Sequence, residues 1–375
     1  MENEIKIVNQ VEHIEPDEWY STKEIDKLDA SFNIIFGERS NGKTFALLDK
    51  SLENFFTKNG EQFAYIRRFD TEIKQRQMRN LFNGIRKEKR VEFWSNGEYD
   101  SVGYYSGEFF ITNSENDRKK KTIGYAFALN TYERDKGARF EEVTTIIFDE
   151  FMTRNRELPN EFVLFENVIK TILGNRTNAK VYLLANTVSR TTSYFEEFGV
   201  YNAWKMQQGT IELYKYGEAK QKTAVEFCYN TAKNSESNET FFAFNNPQLD
   251  MIKSGVWEME IYPHIKKTIE KDEIINKFYV NFKQYRLQIN LVVRNNGTTF
   301  CYAHNYKYNE FPDDRIIFDM NADENPLVQK SMFKTEFPAV KTIAKLYNLD
   351  KWFYSTNEVG EAVRSWIKES STIGL

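Results

Sequence analysis

The sequence predicts an α/β fold in which a parallel sheet is assembled around a phosphate-binding loop. Three observations carry that prediction. Gly37-Glu38-Arg39-Ser40-Asn41-Gly42-Lys43-Thr44 reads G-x-x-x-x-G-K-T. The apolar run from Phe32 to Phe36 precedes it, and a helix-forming run from Phe45 to Leu52 follows, so the loop lies between a strand and a helix. Further on, Thr145-Ile-Ile-Phe148 has strand character and ends in two acids, Asp149 and Glu150.

Each position of the loop has a chemical reason. Glycines let backbone N–H groups approach phosphate oxygens without a side chain in the way. The helix that follows turns its positive end toward the same phosphates. Lys43 is expected to reach the β- and γ-phosphates of ATP, and the Thr44 hydroxyl to hold Mg²⁺. Asp149 is expected to complete the Mg²⁺ shell, and Glu150 to deprotonate the attacking water. A glycine turn that merely contains Lys-Thr is the competing reading, as is an acidic turn for Asp149-Glu150. The two motifs together disfavour both.

The 375 residues are long enough for two or three domains, and 41% hydrophobic with 28% charged residues describes a globular chain. No apolar run reaches membrane-spanning length, and the acidic N-terminus does not read as a secretory signal. Two cysteines and three histidines exclude a disulfide scaffold or a Cys/His zinc site, and imply a reducing, cytoplasmic location. The net charge of −4 hides a polarised distribution. Residues 1–30 carry nine acids and three bases, whereas residues 67–90 carry nine bases and three acids. Arg118 to Lys121 adds a second basic cluster. Such patches suit a phosphate backbone; a solvated helix face is the alternative.

Along the chain, a short helix is expected near Ser21 to Leu28, ahead of the loop strand. Gly60 to Arg68 reads as a strand ending in two arginines at the sheet edge where phosphates bind, so Arg67 is a candidate nucleotide contact. Residues 71–90 read as one basic helix and 91–130 as β-hairpins inserted between core strands. A helix capped by Asn160 runs to Leu173, with Phe162, Phe165, Ile169 and Ile172 on its core face and Gly174 as its stop. The strand Val181 to Ala185 delivers Asn186 beside the acidic pair, a candidate sensor of the γ-phosphate or simply a turn residue.

The first domain is expected to span 1–208. A linker with strands at Ile211–Tyr216 and Ala224–Tyr229 then covers 209–256, and a C-terminal domain covers 257–375. In the last, Phe278 to Phe282 and Tyr285 to Val293 are strand-like, and Asn295-Asn296-Gly297 turns into another strand. Helices at Pro338–Tyr347 and Glu358–Lys368 close the chain. The acids Asp313, Asp314, Asp319, Asp323 and Glu324 lie in a proline-containing, turn-rich stretch, so no two-metal nuclease is expected there.

In order and spacing these motifs resemble the DNA-packaging (encapsidation) ATPases of φ29-type short-tailed bacteriophages. The matching stretches are Gly37–Thr44, Gly60-Glu-Gln-Phe-Ala-Tyr-Ile-Arg-Arg68, Thr145-Ile-Ile-Phe-Asp-Glu-Phe151, Gly174-Asn-Arg176 and Leu184-Ala-Asn186. The resemblance implies an additional-strand, RecA-like P-loop ATPase domain, and a C-terminal α+β domain of RNase H-like type without its catalytic acids. It implies ATP and Mg²⁺ as cofactors and double-stranded DNA as the cargo. It also implies a homomeric ring, a pentamer, docked on the portal of a procapsid in the host cytoplasm and absent from the mature virion. A structural RNA between motor and capsid is left open.

Arg176 is expected to act on the neighbouring subunit's ATP. The helix ending at Leu173 carries it roughly 20 Å from its own phosphate site, and the resemblance gives the matching position this role in trans. Bonding the last carbonyls of the helix is the alternative. One departure is that Phe69-Asp70 follows the paired arginines, where a representative of the family has a lysine soon after, which leaves any role for a basic residue at that spot open. A P-loop translocase or helicase acting on free DNA shares the motifs and is the competing function. A nucleotide-gated scaffold is disfavoured by Glu150.

Overall fold

The computed structural model describes residues 5–11, 19–39, 41–131, 140–153, 157–188, 192–200, 203–216, 221–228, 262–265, 268–308, 310–321 and 325–371. They fall into two compact units, Met1–Glu258 and Met259–Leu375.

The first unit contains, in chain order, β1 (Ile5–Val11), α1 (Lys23–Asp26), β2 (Phe32–Gly37), α2 (Lys43–Thr57) and β3 (Gln62–Arg67). Next come α3 (Gln75–Leu81), α4 (Asn83–Lys87), α5 (Arg90–Trp94), β4 (Ser101–Tyr105), β5 (Glu108–Asn113) and β6 (Asn116–Ala128). It continues with β7 (Val143–Asp149), α6 (Glu161–Leu173), β8 (Lys180–Asn186), α7 (Ser193–Glu197), β9 (Thr210–Tyr216) and β10 (Lys222–Phe227). Among the described residues these strands form one mixed sheet in the order β1-β9-β10-β2-β8-β7-β3-β6-β5-β4.

The central strands β10, β2, β8, β7 and β3 run parallel and are covered on both faces. Alternate residues explain this. Ile34, Phe36, Ile146, Phe148 and Leu183 enter one core with Phe165, Val168 and Ile172 of α6 and Tyr194 and Phe195 of α7. Their neighbours Ile35, Phe63, Tyr65, Ile147, Tyr182 and Leu184 enter the other, with Leu47, Leu48 and Leu52 of α2 and Met78, Phe82, Ile85 and Val91. Continuous apolar runs are what a doubly covered parallel sheet requires.

Two expectations are corrected here. The strands assigned to a linker after residue 208 are integral to this sheet: β10 pairs in parallel with β2, and β9 pairs with both β10 and β1. Ala224 and Val225 are fully buried and project to opposite cores, so β10 is a central strand. The expected linker residues 229–256 lie outside the described residues.

The basic stretch 71–90 is not one helix. A 3-10 turn (Asp70–Ile73) precedes α3, α4 and α5, with breaks at Phe82 and at Lys89, whose φ is 49°. Gly84 fits beneath the Phe45 ring of α2, which a Cβ would meet at 3.2 Å. The segment therefore folds as short pieces packed on α2. The hairpins β4-β5-β6 extend the sheet itself, because the end of β6 pairs in parallel with β3.

In the second unit, β11 (Ile274–Phe282), β12 (Tyr285–Val293) and β13 (Thr299–Asn305) form an antiparallel meander. β14 (Ile317–Asp319) and β15 (Val328–Gln329) extend it in parallel beyond β11, and β16 (Trp352–Tyr354) in parallel beyond β13. The helices α8 (Pro338–Asn348) and α9 (Asn357–Ser370) bury Val340, Ile343, Val359, Val363 and Trp366 against Phe278, Val280, Leu287 and Ile289. Asp319 accepts a hydrogen bond from Asn281 Nδ2 at 2.8 Å; Asp323 and Glu324 lie outside the described residues.

Candidate nucleotide-binding site

The loop from Gly37 to Thr44 leaves β2 at the C-terminal edge of the parallel sheet and enters α2. Gly37 packs so closely on the residue that follows β10 that a Cβ there would lie 2.9 Å from Cys228 Cβ. Gly42, with φ 93°, makes the left-handed turn that starts the helix. Lys43 is buried, with Nζ donating to the Glu38 carbonyl at 2.6 Å and to Asn41 Oδ1 at 3.1 Å. Burial pushes its ammonium below the ordinary lysine range, against the pull of Asp149, Glu38 and Glu226. A polyphosphate offers this cation stronger acceptors than a carbonyl and an amide. Glu38 is buried with Oε2 unpartnered, and desolvation raises its pKa to about 7 although Lys43 opposes the shift. Arg39 is exposed, and Ser40 lies outside the described residues.

The acidic strand comes within reach of this loop. Thr44 Oγ1 donates to Asp149 Oδ2 at 3.1 Å, and Tyr65 Oη donates to the same oxygen at 2.8 Å. Two oxygens suited to a hard divalent cation therefore lie side by side, which fits a Mg²⁺ shell completed by phosphate and water. Tyr65 is buried, and desolvation with the adjacent Asp149 lifts its phenol well above the ordinary range, so it remains a donor. The strand β8 lies between β2 and β7 and aligns Gly37 with Asn186 and Leu184 with Asp149. Asn186 thus borders the phosphate loop at the strand end next to the acidic pair.

Glu150 leaves β7 with φ 60°, a left-handed conformation uncommon for a side chain of this size. Its carboxylate is 55% exposed, open to water, and ion-paired with Arg67 Nη2 at 2.6 Å. Arg67 also reaches Glu72 at 2.9 Å, so in this structure it holds carboxylates rather than standing free for a nucleotide. Arg68 is buried. It makes a two-pronged ion pair with Glu161 at 2.7 and 2.9 Å, and donates to the carbonyls of Glu150 (3.1 Å) and Phe151 (2.6 Å). The paired arginines therefore brace the turn that carries Glu150, one through its side chain and one through its backbone.

Arg176 lies at the other end of β7. Its guanidinium donates to the carbonyls of Phe140, Glu141, Val143 and Ile172 at 2.7–3.0 Å. Val143 opens β7 and Asp149 closes it, so seven strand residues, roughly 20 Å, separate Arg176 from its own acidic pair. The bond to Ile172 is the contact with a late helix carbonyl that the alternative reading expects. Asn160 precedes α6 in a left-handed conformation without making a side-chain cap, so that expectation is corrected too; Glu161 accepts from Leu158 N instead.

The basic segment divides by role. Arg67, Arg68, Arg86 and Arg90 are engaged in internal hydrogen bonds, while Lys74, Arg76, Arg79, Lys87 and Lys89 are exposed. The side chains of Arg118 and Lys119 lie outside the described ones; Lys120 and Lys121 are exposed.

Sequence reasoning missed Tyr65, Glu161, Glu226 and Trp19. Glu226, on β10, is buried, accepts from Tyr20 Oη at 2.7 Å, and is raised by desolvation to about 8. A lone acid inside an apolar strand, Ala-Val-Glu-Phe, was the available signal for it.

A phosphate loop on α2, an acidic pair one strand away and a parallel sheet between them define a P-loop nucleotide-binding protein. A family model for the podovirus DNA encapsidation protein (Gp16) matches residues 15–228. The chain belongs to that family. It is 33% identical over 188 residues to the DNA packaging protein of Bacillus phage B103, covering 47% of this chain and 53% of that protein. It is 28% identical over 185 residues to the DNA packaging protein of Bacillus phage phi29, covering 48% and 50%. The chain thus spans about half the length of the curated relatives it matches. Its fold is similar to a chain of the bacteriophage Phi-29 viral genome packaging motor assembly, with TM-score 0.58 and 18% identity over 94% of this chain and 99% of that one.

Proposed function

We propose that the chain is the ATP-hydrolysing subunit of a motor that drives double-stranded viral DNA into a preformed procapsid. The observation that carries this reading is the Thr44–Asp149 contact, made across the intervening strand β8 in a chain of the encapsidation family. That strand order supports an additional-strand, RecA-like ATPase domain.

In the proposed reaction Lys43 binds the β- and γ-phosphates, and Thr44 and Asp149 would hold Mg²⁺, which when bound would neutralise charge on the phosphates. Glu150 takes a proton from water as its oxygen attacks the γ-phosphorus; the bond to the bridging oxygen breaks, leaving ADP and phosphate. Asn186 stands beside the loop to sense the γ-phosphate. Arg67 acts through Glu150 by fixing its carboxylate.

The DNA surface is assigned to the exposed bases Lys74, Arg76, Arg79, Lys87 and Lys89, with Lys120 and Lys121. A homomeric ring, pentameric in the family, at the procapsid portal in the host cytoplasm completes the reading. For the second unit, the strand sequence β13-β12-β11-β14-β15, a meander extended by two parallel strands, supports an RNase H-like fold.

Arg176 is proposed to serve the neighbouring subunit's ATP, which requires its guanidinium to leave four carbonyls. Rings mixed from Arg176→Ala and Glu150→Gln subunits are expected to recover ATP turnover that neither variant has alone. Assembled mixed rings without recovery remove the role in trans, and leave the guanidinium as a brace between α6 and the start of β7.

The reading as a whole is tested by ATP turnover of the purified chain with and without double-stranded DNA. Stimulation by DNA that weakens when the five exposed bases of residues 74–89 are reversed in charge supports it. Turnover indifferent to DNA contradicts it.

A further inference from the structure

Trp19 is the feature near the phosphate loop that the reading above does not use. Its side chain lies against Gly42, where a Cβ would meet Trp19 Cε3 at 3.1 Å and Cβ at 3.7 Å. Yet the residue is 54% exposed. A half-exposed indole resting on a phosphate-binding loop is an apolar surface awaiting a cover.

The segment that carries it is fixed in place. Tyr20 N donates to the Asn41 carbonyl at 3.1 Å, and Tyr20 Oη donates to buried Glu226 of β10. Thr22 Oγ1 donates to Asp26, which also accepts from Lys50 of α2 at 2.5 Å. Trp19 therefore belongs to a braced turn that keeps register with the loop.

Direction follows from the sheet. β7, with Asp149 and Glu150, lies on one side of β2 beyond β8; β10 lies on the other side. Thr44 and Asp149 mark where the terminal phosphates and their cation belong. A nucleoside triphosphate laid along the loop with its γ-phosphate toward β7 leads its sugar and base toward the β10 side. Tyr20 is tied to that side through Glu226, and Trp19 adjoins it.

We propose that Trp19 is the stacking platform for the nucleobase of the bound nucleotide. This rests on the nucleotide-binding reading of the loop and adds the part of the ligand that the loop itself does not contact. Stacking on an indole face favours any base and purines most, because the larger ring system covers more of it. It gives the site a preference for nucleotides over bare polyphosphate, without base-edge discrimination.

The test compares Mg-ATP with inorganic tripolyphosphate, binding measured by calorimetry on the full chain. The wild type is expected to bind ATP more tightly than tripolyphosphate. Trp19→Ala should weaken ATP by about tenfold and leave tripolyphosphate unchanged, whereas Trp19→Phe should retain most of the ATP affinity. Lys43→Ala should weaken both ligands. If Trp19→Ala weakens both ligands equally, the indole is a prop for the loop and the inference falls. It also falls if ATP affinity does not change. A wild type that binds neither ligand overturns the phosphate site itself, and the inference with it.

Discussion

Glu150→Gln is expected to bind ATP within a few-fold of the wild type and to lose turnover by about 10²–10⁴-fold, the usual weight of a general base. The amide is nearly isosteric, so the contacts proposed for Lys43, Thr44 and Asp149 with the nucleotide are expected to stay in place. What disappears is the carboxylate proposed to accept the proton of the attacking water. The variant also loses the charge that Arg67 holds at 2.6 Å, but Arg67 keeps Glu72 at 2.9 Å and stays anchored. A single-turnover measurement separates chemistry from binding. Near-normal turnover would remove Glu150 from the role and shift attention to Glu38, the acid on the loop.

Arg68→Ala is the substitution expected to damage the fold most. Arg68 and Glu161 have side chains 6% and 1% exposed, so removing the guanidinium strands a buried carboxylate. Breaking such a pair costs about 3–5 kcal/mol, or roughly 10 °C in the melting temperature of a unit of this size. Arg68→Met with Glu161→Met should recover much of that stability, because two apolar chains of similar length replace two compensated charges. Recovery is partial, since Tyr194 Oη and Leu158 N lose their acceptor on Glu161.

The double variant separates two roles of Arg68. It restores packing but not the hydrogen bonds to the carbonyls of Glu150 and Phe151. Its turnover should therefore stay depressed although its stability returns. Denaturation and ATPase measurements on the single and double variants check this. An Arg68→Ala protein as stable as the wild type contradicts the assignment.

Much of the nucleotide site was legible in the sequence because its chemistry is local. The glycine loop, its lysine and threonine, and the strand ending in Asp149-Glu150 are contiguous stretches, so the residue types that suit phosphates and a cation can be read without knowing the fold. The core strands were legible for the same reason, as apolar runs bounded by turns. Sheet order was not. β10 lies beside β2, some 190 residues earlier in the chain, and nothing in the alternation of Lys222 to Phe227 announces that neighbour. The linker was therefore expected where the sheet has a central strand.

Charge was misread in a related way. Nine bases in residues 67–90 look like one surface, but Arg67, Arg68, Arg86 and Arg90 are spent on carboxylates and carbonyls within the fold. A pattern of like charges does not reveal which members find partners far away in sequence. The helix expected there fails because Gly84 and Phe82 answer to contacts with α2 and the hairpins rather than to helical periodicity. The placement of Trp19 was invisible for the same reason, since only the fold brings it against Gly42.

The measurement that tests the central claim most directly is packaging itself: DNA made resistant to nuclease inside purified procapsids, with this chain and ATP supplied. The account predicts protection that requires ATP and vanishes with Glu150→Gln. Protection without ATP, or wild-type protection by Glu150→Gln, would contradict it.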